Sequence, residues 1–183
     1  DIACMLARYG RDVPSLRERA ERMHDLASRH RMLDHASKAR VFIAWADSQS
    51  TDAAVALTDI EREMRYQETN NTPEDFPVFY ESWMEILMLA GELERACEIS
   101  DRAIEVATRN EILYWGPELC RRRALLSRLT GEPAEIAAQW LRRAADEALS
   151  LGLGALALRV GVTQAELALD NDDSVAARSI LDT

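Results

Sequence analysis

The side chains able to do chemistry in this sequence are scattered rather than assembled. His24, His30 and His35 are the only histidines, and their spacings of six and five residues miss the i, i+4 geometry by which one helix face offers two metal ligands. Glu61 and Glu63 lie two apart on an expected helix and point in different directions. There is no G-x-x-x-x-G-K-[ST] phosphate loop, and the GLG at 152–154 and Gly161 lack both a preceding strand and a following lysine. No serine, threonine or cysteine stands in a recognisable nucleophile setting. Arg121, Arg122 and Arg123 are consecutive, so they fan around a helix and are expected on its solvated surface. Trp45, Trp83, Trp115 and Trp140 are expected to pack between helices. No catalytic residue, cofactor-binding residue or metal ligand is expected, and the isolated chain is not expected to be an enzyme.

The elements that would carry these side chains follow from composition. Of 183 residues 48% are hydrophobic and 30% charged, with only 7 glycines and 5 prolines, which favours a globular, helical chain. The net charge of −10 argues against a general nucleic-acid surface. That charge is uneven: residues 1–40 hold 9 basic and 6 acidic groups, whereas residues 41–110 hold 5 and 15. Cys4, Cys97 and Cys120 are odd in number and widely spaced, which fits reduced thiols in the cytoplasm. The most apolar run, 151–169, is broken by Arg159, Gln164 and Glu166 and makes no membrane span.

Helix punctuation recurs at intervals of 40 or 41 residues, at Gly10, Ser50, Gly91, Gly131 and Asn171. A glycine can end a helix in the left-handed conformation without a Cβ penalty. The pattern predicts stacked helical hairpins. Residues 1–9 read as the second half of a helix, Pro14 as a helix start, and 36–45 as a further helix. Asp52 is expected to cap the next helix, and 69–77 (TNNTPEDFP) reads as a loop. Helices then follow at about 78–90, 93–109, 117–129, 133–151, 154–169 and 173–182. No stretch alternates with a period of two, so no strand is expected. The chain opens in helical text and stops without a capping signal, which reads as a piece of a longer protein.

Around Gly91 the small residues Ala96 and Ala103, with Tyr80, resemble the tetratricopeptide repeat, although Met84 and Ser100 depart from its pattern. Ala20 with Ala27 and Ala137 with Ala144 keep the same seven-residue spacing. From Trp115 the motif W-x-x-E-L-x-R (Trp115, Glu118, Leu119, Arg121) precedes LRRAADEALSLG at 141–152 and ALRV at 157–160; RERAE stands at 17–21. Together these resemble the C-terminal helical-repeat region of bacterial predicted adenylate cyclases and ATPase-type transcription regulators. Pro117 and Leu156 depart from that pattern.

The resemblance implies an all-α, right-handed superhelix of tetratricopeptide-like hairpins, about nine or ten helices in a single domain over 1–183. Its hairpins would fall at about 12–49, 52–90, 93–129 and 133–169. It implies a non-catalytic interaction or regulatory domain of a signalling protein, the alternative being a ligand- or peptide-sensing groove that changes curvature. In that family the first helix of each hairpin lines the groove, which makes Glu81, Glu85, Glu118, Arg121 and Arg128 the candidate contacts, with Lys38 and Trp45 from the poorly matched hairpin. The expected partner is a protein or peptide segment or another domain of the parent chain, without direct nucleic acid or membrane. The apolar 154–169 helix predicts a homodimer through the C-terminal end.

Overall fold

The computed structural model describes residues 2–50, 53–70, 73–170 and 172–181. These form α1 (Ile2–Tyr9), α2 (Val13–Arg29), α3 (Leu33–Ser48), α4 (Ala53–Asn70), α5 (Phe76–Leu89), α6 (Leu93–Arg109), α7 (Gly116–Leu129), α8 (Ala134–Ser150), α9 (Gly154–Asp170) and α10 (Ser174–Leu181). Single 3-10 turns at Pro73–Asp75 and Leu113–Trp115 precede α5 and α7. The all-α class is therefore shown, and among the described residues there is no strand.

From α1 to α9 helices end at intervals of 19 to 22 residues. The left-handed backbone falls at Arg11, Arg31, Gly91, Glu111, Gly131, Gly152 and Asp172, with φ between 55° and 78°. At each, the next amide donates to the carbonyl five residues back, as in Met32 to Ala27 (2.8 Å), Glu92 to Leu87 (2.9 Å), Ile112 to Ala107 (2.9 Å) and Glu132 to Ser127 (2.8 Å). This is the Schellman closure, which satisfies carbonyls that the helix end would otherwise orphan. The forty-residue period marks every second turn; of the intervening ones, Arg31 and Glu111 give no signal by residue type, whereas Gly152 does. α1 stops just before Gly10 as expected, but Arg11 rather than Gly10 takes the left-handed position. The expected loop at 69–77 is a correction, since α4 runs to Asn70 and Pro77 lies in the first turn of α5. Proline is tolerated there because its missing N–H has no partner to lose. Asp52, Asn71 and Asn171 fall outside the described residues.

The chain divides into two compact units, 1–99 and 100–183, with the division inside α6. In the first, α2 packs on α3, α3 on α4, and α5 on both α3 and α4. Its core includes Leu16, Phe42, Trp45, Ile60, Met64 and Phe79, and the Phe42 and Phe79 rings meet edge to face at 5.7 Å. In the second unit α7 packs on α8 and α9, and α9 on α8 and α10. There Cys120, Ala124, Ala137, Leu141, Ala144 and Val160 form one apolar cluster, with Trp140 against its edge. On α9, Leu158 is 68% and Leu169 54% exposed.

Candidate functional site

Three clusters of buried charge stand out among the described residues; the smallest is Glu63 of α4, with Arg40 and Arg62 each 2.9 Å from its Oε1 and the Ser37 hydroxyl donating to its Oε2 (2.9 Å). Of the two larger ones, the first cluster joins α1, α3 and α5. Arg8 follows Cys4 by one turn on the buried face of α1. Its Nη2 donates to Glu81 Oε2 (2.5 Å) and Glu85 Oε2 (2.8 Å), and its Nε to Ser82 Oγ (3.3 Å). Glu81 and Glu85 stand one turn apart on α5, so a single guanidinium reaches both. Arg11 Nη2 adds a bond to Glu85 Oε1 (2.8 Å), and the indole Nε1 of Trp45 donates to Glu85 Oε2 (3.0 Å). The Arg8 guanidinium also lies 4.0 Å over the Trp45 ring, a cation–π contact that closes the cluster from above.

The second cluster joins α7 and α9. Arg121 binds Glu118 with two bonds, Nε to Oε2 (2.8 Å) and Nη2 to Oε1 (2.6 Å), in the paired geometry a planar guanidinium prefers. Arg122 Nε and Arg159 Nη2 reach the same Oε1 at 3.5 and 3.3 Å, and Arg121 Nη1 donates to Thr163 (3.0 Å). Burial pushes the Glu118 carboxyl up. The Arg121 hydrogen bonds and the charges of Arg121, Arg122 and Arg159 outweigh that and hold it below the ordinary carboxylate range. Consecutive position did not place these arginines on a solvated surface, as expected: Arg121 and Arg122 are buried and Arg123 half-buried.

The structure thus brings together Trp45, Glu81 and Glu85 in one cluster and Glu118 and Arg121 in another. Lys38 and Arg128 stand apart from both. Lys38 Nζ lies 2.8 Å from Asp75 and 3.4 Å from Asp34. Burial alone lowers its pKa, but the bonds and charges of those two aspartates outweigh it and raise it. Arg128 is on the surface, 2.5 Å from Asp170. Arg8, Arg159 and Thr163 were missed by the sequence reading. For Arg8 the available signal was its place on the same helix face as Cys4.

The first cavity, of about 520 Å³, lies in the second unit among the end of α7, α8, α9 and Ile180 of α10. Ala137, Ala138, Leu141, Leu167 and Ala168 floor it, and Arg128, Glu132, Glu135, Arg142 and Gln164 stand around it. The second, of about 500 Å³, lies in the first unit at the turn from α2 to α3. Burial and the nearby Glu147 carboxylate push the Cys120 thiol up to about 12, so it stays protonated and unreactive at neutral pH. Among the described residues no three His, Cys, Asp or Glu side chains are grouped to hold a metal ion. No helix among them is long and apolar enough to cross a membrane.

No family model matches the chain. It is 30% identical over 169 residues to an uncharacterized protein of Rhizobium meliloti (strain 1021); the match takes in 92% of this chain but only 16% of that protein's length. Among solved structures it is similar to BtubC (BKLC) from P. vanneervenii, with a TM-score of 0.71, 14% sequence identity, and coverage of 94% of this chain and 70% of that one. This likeness corrects four expectations together. The tetratricopeptide-like superhelix gives way to a BtubC-like all-helical fold, and the attribution to adenylate cyclases and ATPase-type regulators is withdrawn. The signalling-domain function and its alternative, a ligand-sensing groove, go with it. The physical reason is that alanines seven apart and glycines forty apart follow from any closely packed antiparallel helices that end in Schellman turns. Those residues report the packing, and the packing that matches is that of BtubC.

Proposed function

We infer that the chain is a non-catalytic, BtubC-like helical segment of a longer protein, and that it seats a helical protein segment in the cavity on α8 and α9. The carrying observation is the cavity's arrangement, an apolar floor between separated charges. Glu135 and Arg142 lie two turns apart on one face of α8, roughly 10 Å along the axis, with Ala138 between them. An amphipathic helix carrying a basic residue at one end of its apolar stripe and an acidic one two turns on fits both charges and the floor. The non-catalytic part rests on the ion clusters. Glu118 is held ionised by three guanidiniums and is no proton donor or acceptor near neutral pH. A cytoplasmic setting belongs to the same proposal and rests on the buried, reduced thiols of Cys4 and Cys120.

The test is titration with a synthetic leucine-striped helix of about four turns that carries this charge pair. Binding is expected to weaken by at least about tenfold when Ala138→Trp fills the cavity. It should persist in Leu158→Glu, which alters an exposed leucine that does not line the cavity. Equal affinity of the Ala138→Trp and unmodified chains overturns the assignment.

A further inference from the structure

The cavity at the turn from α2 to α3 has a chemistry opposite to most of the chain. Its floor is Met23, Leu26 and Met32. Leu26 is 52% and Met32 44% exposed there, with Leu33 beside them at 66%. Methionines make an adaptable apolar floor, because their side chains are unbranched and polarizable. Arg22, Arg29 and His35 stand around this floor against a single lining carboxylate, Asp25. Arg22 approaches Glu18 no closer than 3.9 Å, and Arg29 Nε donates to the backbone carbonyl of Asp25 (3.3 Å). The turn that shapes the cavity is fixed, since Met32 closes the Schellman bond to Ala27 around left-handed Arg31.

We propose that this basic-rimmed cavity is a docking site for an acidic amphipathic protein segment, one whose leucine-type side chains are flanked by aspartate or glutamate. Charge complementarity selects that occupant. The chain carries a net −10, yet its first forty residues hold 9 basic and 6 acidic groups, and two of those arginines, Arg22 and Arg29, stand at this apolar floor. An acidic segment meets attraction here and repulsion along residues 41–110, where 15 acidic groups face 5 basic ones. The occupant's apolar side chains supply affinity against Leu26 and the methionines, and its carboxylates supply orientation against Arg22 and Arg29. The site is separate from the α8–α9 cavity, and neither depends on the other.

The experiment uses the full chain and two fluorescent synthetic helices of about four turns. Both carry the same leucine stripe; one has glutamate on its polar face and the other lysine. The glutamate helix is expected to bind, more weakly as salt rises, and the lysine helix is expected not to. Arg22→Glu with Arg29→Glu should cut the affinity by more than about tenfold while leaving the far-ultraviolet circular dichroism unchanged. Leu26→Asp should do the same through the floor. Binding of both helices alike, or binding of the glutamate helix that survives charge reversal, overturns the proposal. So does preferential capture of the chain by phosphatidylserine vesicles over the glutamate helix, which would make the patch a membrane-facing surface instead.

Discussion

Two buried charge clusters solve the same problem in opposite ways. In the first unit two carboxylates, Glu81 and Glu85, share two arginines, Arg8 and Arg11, under the ring of Trp45. In the second, three arginines, Arg121, Arg122 and Arg159, share the single carboxylate of Glu118. Taking charge out of water is costly unless each group keeps close partners of opposite sign. The first cluster spreads that compensation over several pairs, whereas the second concentrates it in one anion. The difference teaches where each of these two clusters is vulnerable: a distributed cluster tolerates the loss of a member, and a concentrated one fails at its centre.

The largest expected effect tests that contrast directly. Glu118→Leu removes the common partner of three crowded guanidiniums and should cost about 3–5 kcal/mol. Arg8→Met should cost less, on the order of 2–3 kcal/mol, because Arg11 and Trp45 still serve Glu85. Urea denaturation of the two variants measures both costs. An Arg8→Met penalty equal to or above that of Glu118→Leu would reverse the ranking and remove the distinction between distributed and concentrated compensation.

Acid and base should separate the units as well. The Glu118 carboxyl is held below its ordinary value of 4.5, so its contribution is present above that value and lost as pH falls through the lower folded value. The Lys38 ammonium is held above its ordinary value of 10.5, so its contribution is present below that value and lost as pH rises through the higher folded one. Lys38 is partly open to solvent, and its effect should be the smaller of the two. Stability measured from pH 3 to 5, roughly spanning that acid limb, should therefore lose part of its slope in Glu118→Gln, and Lys38→Met should leave this limb intact. A slope unchanged in Glu118→Gln would show that the acid limb belongs to other carboxylates.

Much of the frame was legible because it rests on local rules. The span 93–109 coincides with α6, and Gly91 and Gly131 announce their left-handed turns by residue type. Arg31 and Glu111 do the same work without announcing it. Their backbone is set by the Schellman closure and by the helices on either side, which no single residue encodes. The candidate site was legible in its residues and not in their relations. Glu81, Glu85, Glu118 and Arg121 were named from the repeat resemblance, as first-helix residues expected to line a groove. What they meet depends on Arg8, seventy-three residues from Glu81, and on Arg159 and Thr163, one helical hairpin away from Arg121. Periodicity within a helix carries no information about such distant partners. The family attribution failed for a related reason, since small residues at close crossings record a packing distance shared by many all-helical folds.

The smallest effect sharpens the comparison at the edge of the first cluster. Arg11 ends α1 in the left-handed conformation, φ 55°, and also donates to Glu85 from a side chain that is 46% exposed. Glu111 ends α6 with the same φ of 55° and is itself exposed. A left-handed backbone costs a residue with a Cβ roughly 1–2 kcal/mol that glycine does not incur. Glycine in turn adds conformational freedom to the unfolded chain worth about 0.5–1 kcal/mol. Glu111→Gly should therefore stabilise by a net of about 0.5 kcal/mol, the difference of those two terms. Arg11→Gly gains the same backbone relief but loses an ion pair at the rim of the cluster, and exposed pairs are worth about 0.2–1 kcal/mol. It should come out near neutral. The shortfall of Arg11→Gly against Glu111→Gly then measures what Arg11 adds to the compensation of Glu85. A shortfall that shrinks as salt is raised would mark Arg11 as a screened, outer member of the cluster. If Arg11→Gly instead destabilised by several kcal/mol, Arg11 would be as central to its cluster as Glu118 is to the other, and the first cluster would be no more tolerant than the second.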